Sequence, residues 1–169
     1  MELSHRPEWR QNGRSMAARG YTFVEIVVVS AILAILASAI VPLAKVTTQR
    51  QREIELRRTL RELRTAIDKF KDAIDQGAIA TLEISAGSEG YPKSLQQLVD
   101  GVPLAKDASG RRLKFLRRIP IDPMTGTTEW GLRSVQDDPH STGWGGGNVF
   151  DVHTESTGTA LDGTKYREW

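Results

Sequence analysis

Two places in this 169-residue chain hold side chains whose types and spacing bear on chemistry. The first is Glu25, a carboxylate at the mouth of a run from Ile26 to Ala44 that contains no charged residue. Carried unpaired to mid-bilayer such a group costs about 2.5–3.5 kcal/mol, so it asks for a cation. The second is Asp151 with His153, alternate residues that would share one face of a strand, followed by Ser156. A hydroxyl nucleophile, an imidazole base and an orienting carboxylate together make the constellation of acyl transfer. No nucleophile-elbow pattern accompanies them, and the other histidines, His5 and His140, make no metal-binding pair with His153. A surface or capping histidine is the better-supported reading, and a membrane-anchored enzyme is the lesser one.

A helix must position Glu25. At 1.5 Å per residue, roughly 20 apolar residues cross the ~30 Å hydrocarbon core, so the run after Glu25 is long enough to span. Pro42 lies within it, removes one backbone hydrogen bond and crowds the preceding turn. A kink is expected there, the alternative being a proline that marks the membrane exit. Beyond Lys45 the composition turns charged, yet the apolar period persists through Leu56, Leu60, Leu63, Ile67, Phe70 and Ile74. Spacings of four and three draw one stripe along a continuous helix that stops at Gly77. The stripe must be buried against a domain, while the arginine and glutamate face opposite reads as solvated, the alternative being that it pairs with neighbouring subunits.

Strands must position Asp151 and His153. The two best candidates are Trp130–Val135 and Asn148–His153, each short and each bounded by Gly, Pro, Asp or Ser. An antiparallel sheet lying on the helix is the economical arrangement, with residues 137–147 as an irregular loop between the strands. Tyr91–Val99 reads as a turn and a short helix capped at Ser94, with Leu95, Leu98 and Val99 on one face. Phe115–Gly126, with two prolines and a glycine, reads as extended chain and turn. The apolar patch Ile79–Ile84 has no firm assignment, and the aromatics Tyr166 and Trp169 are expected to pin the tail to the sheet.

Composition bounds the partners. The formal charge is +2, and residues 1–20 alone carry four arginines against two glutamates, so the remainder is near neutral. No basic patch for nucleic acid follows from the composition. There is no cysteine, which excludes disulfides and thiolate metal sites. Arginines before the apolar run place the N-terminus in the cytoplasm and everything after Lys45 outside it. With one apolar helix removed, a single small domain on a stalk remains.

Gly20-Tyr21-Thr22-Phe23-Val24-Glu25 and the run after it resemble the prepilin signal of type IV pilin-like proteins. Tyr91-Pro92 followed by Leu95 and Leu98 is similar to a segment of type II secretion pseudopilins, and Pro120-Ile121-Asp122-Pro123 resembles a signature of the major pseudopilin. Departures are Tyr21 where Phe or Met is usual, Met124-Thr125-Gly126 where the family has Trp-Gly, and the loss of an Asp-Gly pair near Ser156-Thr157-Gly158.

The resemblance implies an α+β pilin fold, a long N-terminal helix on a small antiparallel sheet domain. It implies a leader at 1–20 removed by cleavage between Gly20 and Tyr21, methylation of the Tyr21 amine, and pairing of Glu25 with that amine in an adjacent subunit. A membrane and assembly helix would follow at 21–44, its amphipathic continuation at 45–76 and a periplasmic domain at 77–169. The implied function is a non-enzymatic subunit of a type II secretion pseudopilus in the inner membrane, with a type IV or minor pilin as the alternative. Its implied partners are further copies, other pseudopilins, the prepilin peptidase and the secretion platform. It also implies calcium after the last strand, on Asp162, Asp151, Ser156 and Thr159, with Thr154 and Glu155 nearby.

Overall fold

The computed structural model of the protein describes residues 20–80, 87–105, 107 and 109–169, those at 39–44 by backbone alone. The leader expected at 1–20 (apart from Gly20), the patch beyond Ala80 and the side chain of Pro42 lie outside the described residues. The described chain falls into two compact units, one ending at Val41 and one running from Pro42 to Trp169, and each is taken by itself.

Helix α1 runs from Phe23 to Asp75. It starts where Thr22 caps it: the Glu25 N–H donates to Thr22 Oγ1 at 3.2 Å and the Ile26 N–H to the Thr22 carbonyl at 3.1 Å. It ends as expected at Gly77, which takes a left-handed φ of 66°. There the Gly77 N–H donates to the Ile74 carbonyl and the Ala78 N–H to that of Ala73. This paired closure satisfies carbonyls that a helix end leaves open.

In the second unit Leu56, Leu60, Leu63, Ile67 and Phe70 are all buried to within 2% exposure, and Ile74 packs at the edge of the same cluster. The stripe is covered by residues from every later element, among them Leu98, Val102, Leu116, Trp130, Val149, Val152 and Tyr166. Each such side chain contributes about 1.5–3 kcal/mol when fully buried, which fixes the domain along this half of α1.

Helix α2, Leu95–Asp100, is capped by Ser94 as its sequence predicts: the Gln97 N–H donates to Ser94 Oγ at 3.3 Å. Gly101 then turns the chain at φ 75°, where a Cβ would stand 2.6 Å from the Leu113 carbonyl. Strand β1, Val102–Pro103, pairs antiparallel with β2, Arg112–Leu113. Phe115–Gly126 contains no helix or strand, as expected.

Strand β3, Gly131–Arg133, pairs antiparallel with β4, Asp151–His153, with Leu132 opposite Val152. Both expected strands are present but shorter than their sequence windows. Other acceptors, two side chains and one backbone carbonyl, take the hydrogen bonds that a longer ladder would need. The Ser134 N–H donates to Asp137 Oδ2, the Val135 N–H to Asn148 Oδ1 and the Val149 N–H to the Pro92 carbonyl. The result among the described residues is two separate two-stranded sheets in place of one.

Tyr166 of the tail shares the buried cluster with Val152 of β4, and the tail aromatics are held by α1 as well. Tyr166, in a 3₁₀ turn at Tyr166–Glu168, donates its hydroxyl to Glu53 at 2.8 Å and receives one hydrogen bond from Gln49. The Arg57 guanidinium stacks 4.1 Å over the Trp169 ring. A phenol and an indole need polar partners as well as apolar cover, and the flank of α1 supplies both.

Candidate functional site

The segment around Glu25 is built by the first turn of α1. Thr22 and Glu25 stand in the Thr-x-x-Glu spacing of a capping box, and the hydroxyl half of that box is formed. A carboxylate in the first turn also meets the positive end of the helix dipole. The Thr-x-x-Glu spacing is the signal in the sequence that marks this cap. Gly20 and Tyr21 precede the helix in exposed chain without regular structure, with Tyr21 at 75% exposure. Such chain offers a protease a backbone free of helical hydrogen bonds.

From Tyr21 to Leu36 eleven large apolar side chains are exposed, on every side of the helix. A helix that is apolar all round is one that something else must cover. Among the described residues no helix is long and apolar enough to cross a membrane. Residues 39–44, which complete the uncharged run, are described by backbone alone. Glu25 makes no ion pair with a described residue.

The acid–base constellation does not form. Asp151 is turned to two arginines: Arg64 Nε donates to it at 2.7 Å and Arg133 Nη1 at 3.2 Å. His153 is 1% exposed, and neither ring nitrogen has a hydrogen-bond partner among the described residues. Burial first, and then the nearby Arg133 charge, hold its pKa below the usual imidazole value. Ser156 Oγ accepts from the Gly158 N–H at 3.3 Å.

The oxygen donors named for calcium are each engaged by partners within the chain. Asp151 is tied to Arg64, whereas Asp162 lies 3.4 Å from Arg57, two helical turns earlier on α1. Asp162 also accepts from the Thr164 N–H and hydroxyl, which hold its carboxyl below the usual range. Thr159 Oγ1 accepts from Lys165 Nζ at 2.6 Å. No three Asp, Glu or His side chains among the described residues are placed to hold a metal ion. The residues present do not fit the implied calcium site.

Two arrangements of polar side chains have partners that the sequence did not indicate. One is the arginine network itself: Arg64 further donates to the carbonyls of Val152 and Trp169, and Arg133 to those of Ser141 and Arg167. The other is Asp122, fully buried, which accepts from the Met124 N–H at 2.8 Å and from the Thr154 hydroxyl. It ties the Pro-Ile-Asp-Pro turn to the residue after β4. A groove of about 1010 Å³ also runs between α1 and residues 115–121, with Arg58, Arg61, Lys69, Arg117 and Arg118 among its lining. Glu55 and Glu62 line it as well, so the groove carries charges of both signs.

Residues 15–41 match the family model described as the prokaryotic N-terminal methylation motif. The match contains Gly20, Tyr21 and Glu25 together with most of the apolar run. No curated protein and no solved structure matches the chain.

Proposed function

We propose that this chain is a filament subunit, cut after Gly20, methylated on Tyr21 and assembled through α1 into a pseudopilus of the type II secretion kind at the inner membrane. The observation that carries the reading is the start of α1, apolar and exposed all round with one carboxylate in its first turn. The methylation motif over residues 15–41 supports the same processing.

The energetics decide what the segment can do. Full burial of one large apolar side chain is worth about 1.5–3 kcal/mol, so hiding even half of this surface gains on the order of 10 kcal/mol. One carboxylate opposes that with about 2.5–3.5 kcal/mol at most. Insertion into a bilayer is therefore favourable with or without Glu25. Bilayer and neighbouring helices cover the same apolar surface, so a subunit passes from one to the other with little change in burial. The carboxylate is what distinguishes the two settings. It is tolerated in an apolar filament core only when paired, and cleavage after Gly20 creates the one new cation available, the amine of Tyr21 in an incoming copy.

The partners of this reading are further copies, other pseudopilins, the prepilin peptidase and the inner-membrane secretion platform. Mass spectrometry of the mature protein tests processing, with a chain that begins at methylated Tyr21 expected and one that begins at Met1 refuting it. Glu25→Ala should insert and be cleaved but fail to assemble, and normal filaments from that variant would sink the pairing. Deleting the gene should stop release of exported proteins. Lost surface filaments with secretion intact would move the chain to a type IV pilus.

A further inference from the structure

The loop after β4 is rich in oxygen donors of the kind calcium takes, yet the chain supplies its own cations to them. Lys165 Nζ donates to Thr159 Oγ1 at 2.6 Å, and the Thr159 carbonyl accepts from Gln49. Arg64 and Arg133 converge on Asp151, and Arg57 lies against Asp162. Glu53 completes the set from α1, accepting from the Tyr166 hydroxyl at 2.8 Å and from the Leu161 N–H at 2.9 Å. We propose that Lys165 and the guanidinium groups of Arg57, Arg64 and Arg133 serve as the resident cations of this loop, so that the tail docks on α1 without a metal ion.

Charge and geometry both argue for this. Lys165 already occupies Thr159 Oγ1, Arg57 lies against Asp162, and Arg64 and Arg133 hold Asp151, so a divalent ion would enter a site whose oxygens already meet cations. Calcium needs six to eight oxygens at 2.3–2.6 Å. To reach Thr159 Oγ1 it would have to displace an ammonium from the same atom, and to reach Asp151 it would have to break a pair of guanidinium contacts. Charge-assisted hydrogen bonds of this kind are about twice as strong as neutral ones. The arginines also do what an ion bound within the loop does not. Arg64 joins α1 to Asp151 and Val152 of β4 and to the Trp169 carbonyl, and Arg133 joins β3 to Asp151 and to the Arg167 carbonyl. One set of side chains thereby locks helix, strand and tail.

The proposal concerns folding of the loop and stands apart from the filament reading. Its test is the thermal midpoint of the full chain in detergent, measured with millimolar calcium, with magnesium and with chelator. Ligand that binds only the folded state must raise the midpoint. The expected result is one midpoint in all three conditions, lowered in Lys165→Met and Asp151→Asn and retained in Lys165→Arg. A wild-type midpoint raised by calcium and lowered by chelator overturns the proposal, even if the variants fail to fold. Variants as stable as wild type overturn it as well. A calcium response that appears only in Lys165→Met supports it, because removing the ammonium is what frees the oxygen.

Discussion

Replacing Asp122 should cost more than any exposed acidic residue. Its carboxylate is fully buried and accepts from two donors, the Met124 N–H and the Thr154 hydroxyl. Hydrogen bonds to a charged group are worth about 1.5–3 kcal/mol each, and a buried donor left without a partner costs about 1–3 kcal/mol. Asp122→Ala removes both bonds and strands both donors, while it also relieves the burial of a charge, so a net loss on the order of 3 kcal/mol is expected. That is a large share of a domain stability of roughly 5–15 kcal/mol. Asp122→Asn should lose about half as much, because its amide oxygen still accepts from Met124. Its NH₂ would face Thr154 Oγ1, which already accepts from the Ser156 N–H at 3.1 Å. The assay is urea unfolding of the full chain in detergent, followed by tryptophan fluorescence. Trp130 is a local reporter, buried and bonded through Nε1 to the Pro120 carbonyl at 3.0 Å, two residues from Asp122. A double-mutant cycle with Thr154→Val isolates the contact, and a coupling of about 1.5–3 kcal/mol is expected. Single-variant losses that add to within about 0.5 kcal/mol would refute the reasoning.

Two further predictions centre on His153. Its folded pKa is depressed by burial and then by Arg133, with Arg167 acting in the same sense and Asp151 and Glu155 opposing. The unfolded chain therefore takes up a proton near pH 6.5 that the folded chain refuses. Stability is complete above that pH and declines as pH falls from it toward the depressed folded value, by up to ~1.4 kcal/mol per pH unit. Urea midpoints at pH 7.5 and pH 5 should converge in His153→Gln, and an unchanged pH dependence in that variant would exclude His153 as the cause. Gly131 leaves room for the same ring: a Cβ there would stand 2.3 Å from His153 Nε2. Gly131→Ala should cost about 1–3 kcal/mol by overpacking, and Gly131→Ala with His153→Ala should recover part of that loss, which strictly additive losses would contradict.

What could be read from the sequence was local. The stripe from Leu56 to Phe70, the stop at Gly77, the cap at Ser94 and the absence of a helix across Phe115–Gly126 all follow from spacing, capping and backbone chemistry within a few residues. The exposed apolar start of α1 and Glu25 at its mouth were legible for the same reason. The partners of charged and buried polar groups were not. Arg64 meets Asp151 across 87 residues, Tyr166 meets Glu53 across 113 and Thr154 meets Asp122 across 32. No period or propensity encodes such a pairing. An aspartate that could bind a metal and one held by two arginines read alike as letters. The difference arises only when packing along α1 sets which cation lies within 3 Å and how much water is left to compete. The sheets diverged for a related reason: Asp137 and Asn148 offer their side chains to the backbone just past the C-terminal end of β3, and tertiary approach alone decides that those hydrogen bonds replace the ladder.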